Sequence, residues 1–573
     1  MNLTVQDNGF QKHGAVLKER IAERIPVSDG GMVLEVTVDA AIRTPESYRI
    51  DQTDKGYRIA GSDTLGLYFG IGKFLHTAKW TETELIPAPP VGVSSPACSL
   101  RGMYFAMHLK NWYANAETEE LDRYIEDLLL WGYNGIFMIV PVIDLFSFED
   151  ELCRTSVQKS HALFKMAKAR GMRVGLFICP NQGLRSAPHE WDADPSFDPV
   201  GNVRGNAGRN ICPAKEGAVP YLRTVWAGML SQYRDIGLDY LTTWPYDEGG
   251  CGCESCRPWG ANGYLDLVKL LYADAKAFYP EIKVILSAWT YDRPDDQGEY
   301  AGMYARLRGD LDFVSYVMSD AHADFPRYPL EHERVRPVIN FPEISMWMLY
   351  PWGGYGANPL PARFHQIWNS AKTILDGGIP YSEGMYEDLS KIQFACYYWD
   401  PDRSMEDILS EYIGYEISDR VTEDVIRMIA LIEKNHTLVA DHCPPDKEGA
   451  IECGTLARSI DARLSDREKR AWRWRILYIR AILDEKRYAF YHAYMDGADD
   501  LDDIRRFGAD FICDDPEAHA LLSELQELYH SSPCDGRNQF TLPFKDGGTL
   551  HGSGKTYAQM CAIRGIPMRI PKR

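Results

Sequence analysis

Between residues 100 and 388 the sequence repeats one pattern eight times: a short apolar or alternating run, most often followed by a stretch with helical periodicity. The runs are RGMYFAMHL (101–109), GYNGIFMIVP (132–141), MRVGLFICP (172–180), LDYLTTWPYD (238–247), KVILSAWTYD (283–292), LDFVSYVMSD (311–320), RPVINFPEIS (336–345) and GGIPYSEGMYED (377–388). Runs this apolar suit strands covered on both faces, and parallel strands alternating with helices close most economically into a barrel. In the first helical stretch Leu121, Tyr124, Ile125, Leu128 and Leu129 share one face behind a Thr118 cap. The expected fold is therefore α/β, a (β/α)8 TIM barrel over residues 98–400.

What flanks the barrel differs in kind. Residues 1–97 read as a small α/β domain: MVLEVTVD alternates as a strand, ESYRID and KGYRIAG form a hairpin-like pair, and SDTLGLYFGIGKFLHTA is a helix capped by Ser62 or Asp63. The Pro-rich LIPAPPVGVSSPA (85–97) then acts as a linker. After WDPDRSMED, strand signals stop and residues 401–573 read as an α-helical region. Its longest helix, KRAWRWRILYIRAILDEKRYAFYHAY (469–494), interleaves Arg and Lys with aromatic rings. The expected reading is an amphipathic helix with a solvated basic face, because a formal net charge of −20 over 573 residues argues against nucleic acid or an anionic membrane surface as partner. No leader-like N-terminus and no apolar run of about 20 residues is present in this sequence, which points to a cytoplasmic protein. The aromatic-rich C-terminus can pack on the barrel or on a second copy, as a homo-oligomer.

Barrels of this kind place their chemistry at the C-terminal ends of the strands. Those ends carry His108, Trp112 and Tyr113 (strand 1), Asn181 (strand 3), Asp247 and Glu248 (strand 4), and Trp289, Tyr291 and Asp292 (strand 5). Asp320 and His322 follow strand 6, Glu343, Trp347, Tyr350 and Trp352 strand 7, and Tyr381, Glu383 and Tyr386 strand 8. Carboxylates and rings without a cluster of Lys or Arg suit a neutral, hydroxyl-rich small carbohydrate: rings cover the apolar face of a sugar and carboxylates take its hydroxyls. The motifs of other barrel chemistries are missing: there is no His-x-His, no His-Glu-x-x-His and no flanked Gly-x-Gly-x-x-Gly, and GGYG (353–356) sits among Trp and Tyr as a turn. No cofactor for catalysis is expected.

In WPYDEGGCGCESC (244–256), Pro245 before the acidic pair and Gly249 and Gly250 after it mark a strand end, so both carboxylates can reach one ligand. Two adjacent carboxylates repel, which raises one pKa and leaves the other group ionised, the division between acid and charge stabiliser that glycoside cleavage uses. A solvated acidic turn is the plainer alternative. Cys251, Cys253 and Cys256 follow at once, and three thiolates want a fourth to close a structural zinc site. Cys212, on the loop after strand 3, is the natural fourth ligand, since neighbouring loops on a barrel rim are adjacent; a reduced, metal-free cluster is the alternative. Thirteen scattered cysteines fit thiols or ligands better than a disulfide framework.

At this level the chain resembles the family 20 glycoside hydrolases, the β-N-acetylhexosaminidases, and more loosely the α-glucuronidase-like barrels with a similar N-terminal domain. ESYRIDQTDKGYRIAGSDTLGLYFGIGKFLHTA resembles that accessory domain. LRGMYFAMH resembles the first barrel strand of family 20, which implies Arg101 as a ligand of the sugar's 3- and 4-hydroxyls. The Asp-Glu pair resembles the family's catalytic pair, implying Glu248 as general acid/base and Asp247 as the residue orienting the substrate's own N-acetyl nucleophile. Glu383 in YSEG matches a strand 8 carboxylate that holds sugar hydroxyls, and Tyr350 a residue bonding the acetamido oxygen. The family's His-x-Gly-Gly before Asp-Glu is here Thr243, Trp244, Pro245 and Tyr246, and the cysteine tail is foreign to it. The resemblance implies an exo-acting, retaining hydrolase of terminal β-linked N-acetylhexosamine. Alternatives are an inverting or uronate-specific enzyme with Glu343 or Glu383 as base, or an inactive carbohydrate-binding protein.

Overall fold

The computed structural model describes residues 1–107, 111–140, 142, 145–194, 209–245, 250–289, 291, 298–321, 325–345, 357–435, 446–495 and 515–530. Its centre is a closed parallel barrel. The strands are Leu100–Phe105, Gly135–Ile139, Arg173–Ile178, Tyr240–Thr243, Lys283–Ser287, Val314–Asp320, Val338–Phe341, and an eighth in two pieces, Leu375–Gly378 and Tyr381–Ser382. Each pairs in parallel with the next, and Gly377 and Gly378 pair with Leu100 and Arg101 to close the ring. Closure needs a glycine here: Gly377 has φ +155°, and a Cβ on it would sit 2.1 Å from the Leu100 carbonyl oxygen.

Side chains fill the barrel by alternation. Leu100, Tyr104, Phe137, Phe177, Tyr240, Ile285, Met318, Ile339, Phe341, Ile379 and Tyr381 form an interior core distinct from the one shared with the helices. Phe137 fits because its neighbours are small: a Cβ at Gly102 or Gly175 would lie 2.4 or 2.3 Å from its ring. All eight expected strands are present, each shorter than its apolar run.

The N-terminal unit is a five-stranded sheet in the order Asn2–Gln6, Ser28–Val38, Gly56–Gly61, Tyr48–Thr53, Val91–Ser94, with helices Gln11–Ala22 and Thr64–Thr77. Asp63 caps the second helix by accepting the Gly66 amide at 2.8 Å. The first strand and first helix were not expected, although His13, Gly14, Val16, Leu17, Arg20 and Ile21 mark a buried helical face.

This unit is bolted to the base of the barrel. Buried Glu46 receives Arg101 Nη2 at 2.7 Å, Asn134 Nδ2 at 2.9 Å and Arg173 Nη2 at 2.7 Å, from the start of strands 1, 2 and 3. Burial alone would raise the Glu46 carboxyl, but the two guanidinium charges hold it below its usual range.

The longer helices of the described C-terminal region are Met405–Ile413, Thr422–Lys434, Lys447–Arg463, Trp472–Met495 and Pro516–Leu528. The basic face expected on the longest of them is in part buried. Arg473 is 7% exposed and binds Asp388 (2.7 Å), Asp127 (3.0 Å) and Glu416 (3.2 Å), while Arg480 is fully buried on Asp484, the Ala357 carbonyl and Asn358 Oδ1. These arginines lock the helix onto the barrel. None of the described helices is long and apolar enough to cross a membrane.

Candidate active site at the barrel mouth

At the carboxyl ends of the strands the interior core ends in a layer of rings. Trp244 and Trp289, both half-buried, stack with centroids 5.2 Å apart and planes 27° from parallel. Trp244 also packs on Phe341 at 5.1 Å and on Phe177 at 5.8 Å, and Tyr104 stacks on Tyr381 at 5.5 Å. Strand parity builds this shelf: Tyr240, Thr242 and Trp244 alternate, as do Ile339, Phe341 and Glu343, and Ile379, Tyr381 and Glu383. In the sequence Trp244 stands out only as a departure from a family motif, and Tyr104, Phe177 and Phe341 carry no motif at all. Parity counted back from the strand ends would have found all four.

Two carboxylates follow these strands, Glu343 two residues after Phe341 and Glu383 two residues after Tyr381. Glu343 is half-buried, and its backbone bridges to Tyr381. Glu383 is 1% exposed and accepts the Tyr381 hydroxyl at 2.7 Å. The loop that carries Glu383 is held by buried Glu387, which accepts from Ser382 Oγ (2.6 Å) and the amides of Glu383 (2.7 Å) and Gly384 (2.8 Å). Tyr529, after the last described helix, donates to the Glu383 carbonyl at 3.1 Å and stacks on Tyr386. Behind Glu387, Lys391 donates to the Tyr113 and Tyr124 hydroxyls and to the Gly384 carbonyl.

Burial brings Lys391 down to about 8, against the attraction of Glu387 and Asp388. The usual lysine value is about 10.4, so between those limits the folded chain binds fewer protons than the unfolded one, and stability from this group rises with pH. The stability advantage of the wild type over Lys391→Met is therefore expected to grow between about pH 8 and pH 10. Urea denaturation of both chains across that window checks this, and a shrinking difference would contradict it.

Several expected site residues lie outside the described residues: Asp247, Glu248, His108, Asp292, His322, Trp347, Tyr350 and Trp352. Trp289 connects through Trp244 and Phe341 to Tyr381 and so to Glu383, and Glu343 bridges to Tyr381 by its backbone. Three others are corrected. Arg101 sits at the amino-terminal end of strand 1, fully buried, its guanidinium given to Gly132 O, Cys98 O and Glu46. It faces the N-terminal unit at the opposite end of the barrel from the rings and is not a sugar ligand. Tyr291 is fully buried, donating to the Ser287 carbonyl at 3.1 Å, and packs as core. Asn181 is also fully buried and ties two loops together: its side chain bonds the Gly250 amide (3.1 Å) and carbonyl (3.0 Å) and the Ile211 carbonyl (3.3 Å). Trp112, Tyr113 and Tyr386 are likewise buried supports.

Asn181 joins the loops that carry the cysteines. Cys212, Cys251, Cys253 and Cys256 converge, with all four sulfurs within 4.8 Å of one another. Cys251 is an acceptor of the Asp194 amide at 3.4 Å, and hydrogen bonding from Cys256 lowers its thiol pKa. Downstream, Trp259 is buried and donates its indole N–H to the Pro245 carbonyl at 2.7 Å. Pro245 is thus held by Trp259 and Gly250 by Asn181.

No family model and no curated protein matches the chain in sequence. Solved structures match its fold. A family 138 glycoside hydrolase targeting pectin rhamnogalacturonan II aligns over 99% of both chains with a TM-score of 0.54 and 12% identity. A family 89 glycoside hydrolase from Clostridium perfringens, in complex with 2-acetamido-1,2-dideoxynojirmycin, aligns over 97% of this chain and 74% of its own with a TM-score of 0.60 and 10% identity. A family 20 β-N-acetylglucosaminidase aligns over 71% of this chain and 90% of its own at 0.49 and 14% identity. These likenesses are of fold; the neighbours are glycoside hydrolases of several families, and the chain is placed in none of them.

Proposed function

We propose that the chain is an exo-acting glycoside hydrolase that removes a terminal sugar, with β-linked N-acetylhexosamine as the favoured substrate class. The observation that carries this reading is the Trp244–Trp289 pair, packed through Phe341 onto Tyr381, whose hydroxyl meets Glu383, at the face where barrels of this type do their chemistry. The shelf offers a flat apolar surface to one sugar face, and the carboxylates offer acceptors to its hydroxyls. In this reading Glu248 is the general acid/base and Asp247 orients the substrate's acetamido group as internal nucleophile. The acetamido-sugar analogue bound by the family 89 neighbour supports an N-acetylated hexosamine as the sugar, while a family 89 enzyme of the same organism has an α-linked substrate, so the β linkage rests on the Asp-Glu resemblance to family 20.

One observation favours a second reading, a uronate-specific or inverting hydrolase with Glu343 or Glu383 as base: the near-complete coverage of the family 138 enzyme that acts on a pectic glycan. A panel of nitrophenyl glycosides separates the two. The expected result is fastest turnover of the N-acetyl-β-hexosaminides; fastest turnover of a uronide would replace the first reading with the second. If no glycoside is cleaved and sugars still bind, the chain is a binding protein.

Loss of a ring from the shelf should weaken substrate binding more than chemistry. Trp289→Ala is expected to raise KM about tenfold, or about 1.4 kcal/mol, with kcat changed less than threefold. Steady-state kinetics on the preferred glycoside checks this, and an unchanged KM would remove Trp289 from the binding surface.

A further inference from the structure

We propose that Cys212, Cys251, Cys253 and Cys256 hold one zinc ion as four thiolates, and that this ion clamps the loop carrying Asp247 and Glu248 to its neighbour. The first support is geometric. Four sulfurs about 2.3 Å from a shared tetrahedral centre lie about 3.8 Å from one another. Cys212 Sγ is 3.6 Å from Cys253 Sγ and 3.9 Å from Cys256 Sγ, and no pair among the four is farther apart than 4.8 Å. A disulfide needs about 2.05 Å, and all four cysteines are free thiols.

The second support is the setting. Cys212, Cys251 and Cys256 are buried, with exposures of 2%, 0% and 1%, and Cys253 is half-buried. The Asp194 amide points at Cys251 Sγ, the kind of outer hydrogen bond that steadies a ligating sulfur. The backbone around the four sulfurs is already tied: Gly252 N–H donates to Asp194 O at 2.9 Å, Cys212 N–H to Trp191 O at 2.8 Å, and Cys256 N–H to Cys253 O at 3.0 Å. Soft sulfur donors in a tetrahedron select zinc over hard cations, and four protein ligands leave no open position, so the ion is structural.

The third support is where the ligands come from. One lies on the loop after strand 3 and three on the loop after strand 4, the same two loops that Asn181 bridges at Ile211 and Gly250. Metal and amide together form a double tie beside the acidic pair. The role of the ion is to fix that loop's position, which does not depend on the reaction performed there.

Metal analysis of the full chain, purified under reductant and without chelator, is expected to return about one zinc per chain. Replacement by cobalt(II) is expected to give the intense visible bands of a tetrahedral thiolate site, and Cys253→Ser, at the least buried position, to lose both signals. Because that variant can also fail to fold, hydrogen exchange of the wild type before and after chelation gives an independent readout. Amides of Ile211, Gly250 and Gly252 are expected to exchange about tenfold faster without metal, with the barrel strands unchanged. Far less than one zinc per chain, iron in its place, or a Cys212–Cys253 disulfide in peptide maps would overturn the site; zinc without a change in exchange would overturn the clamp. These measurements use no substrate, so they stand or fall separately from the glycosidase reading.

Discussion

Glu248→Gln is expected to lower kcat/KM by about a thousandfold on a disaccharide, where the departing sugar oxygen must be protonated as the bond breaks. On a nitrophenyl glycoside the leaving group departs as a stable anion, so the loss should be much smaller. That contrast is the signature of a general acid, and a residue that only shapes the loop would slow both substrates alike. The loop is suited to the task because its ends are fixed: Trp259 holds the Pro245 carbonyl, and Asn181 holds Gly250 on both its amide and its carbonyl. Asp247→Asn should hurt both substrates equally, since orienting the acetamido group precedes any leaving-group chemistry. Equal losses on both substrates for Glu248→Gln would move the acid role to another carboxylate, with Glu343 the first to try.

Glu46→Ala is expected to be among the most destabilising single changes in the chain, by about 3–5 kcal/mol, because it strands the fully buried Arg101 guanidinium. Arg173 and the Asn134 amide lose the same partner. Although burial pushes the Glu46 carboxyl up, the two arginines hold it below the ordinary value, so its stabilising contribution is present above that value and lost as pH falls through the folded-state value. Urea denaturation measures the loss directly. Kinetics of the same variant separate this structural role from a sugar-binding one: stability should fall while KM of the surviving folded protein stays near wild type. A large rise in KM with little loss of stability would return Arg101 to the substrate.

The contrast between Arg101 and Trp244 shows what the sequence carries and what it does not. Barrel strands are legible because burial on both faces demands apolar runs at regular spacing, and all eight were read from that alone. The end of a strand on which a residue lies is equally legible, but a motif match overrode it for Arg101, which stands second in strand 1 and so at the base. Trp244 shows the converse, since its parity with Tyr240 and Thr242 points it inward whatever any motif says. Asn181 and Tyr291 were correctly placed on loops near the mouth, yet a loop residue has no fixed parity, and both turned inward to brace the backbone. The basic face of the long C-terminal helix misled for a related reason: Arg473 and Arg480 find carboxylates from segments as distant in sequence as Asp127 and Asp388 or as near as Asp484, and only the fold brings the distant ones within reach. The four cysteines were legible across a gap of about 40 residues because barrel topology makes consecutive loops neighbours.

A crystal structure of Glu248→Gln with a disaccharide ending in β-linked N-acetylhexosamine tests the central claim most directly. The terminal ring should lie over the Trp244–Trp289 shelf with hydroxyls at Glu383, and residue 248 should stand within hydrogen-bond reach of the glycosidic oxygen. A disaccharide bound elsewhere on the chain, or seated on the shelf with residue 248 out of reach of that oxygen, would contradict it.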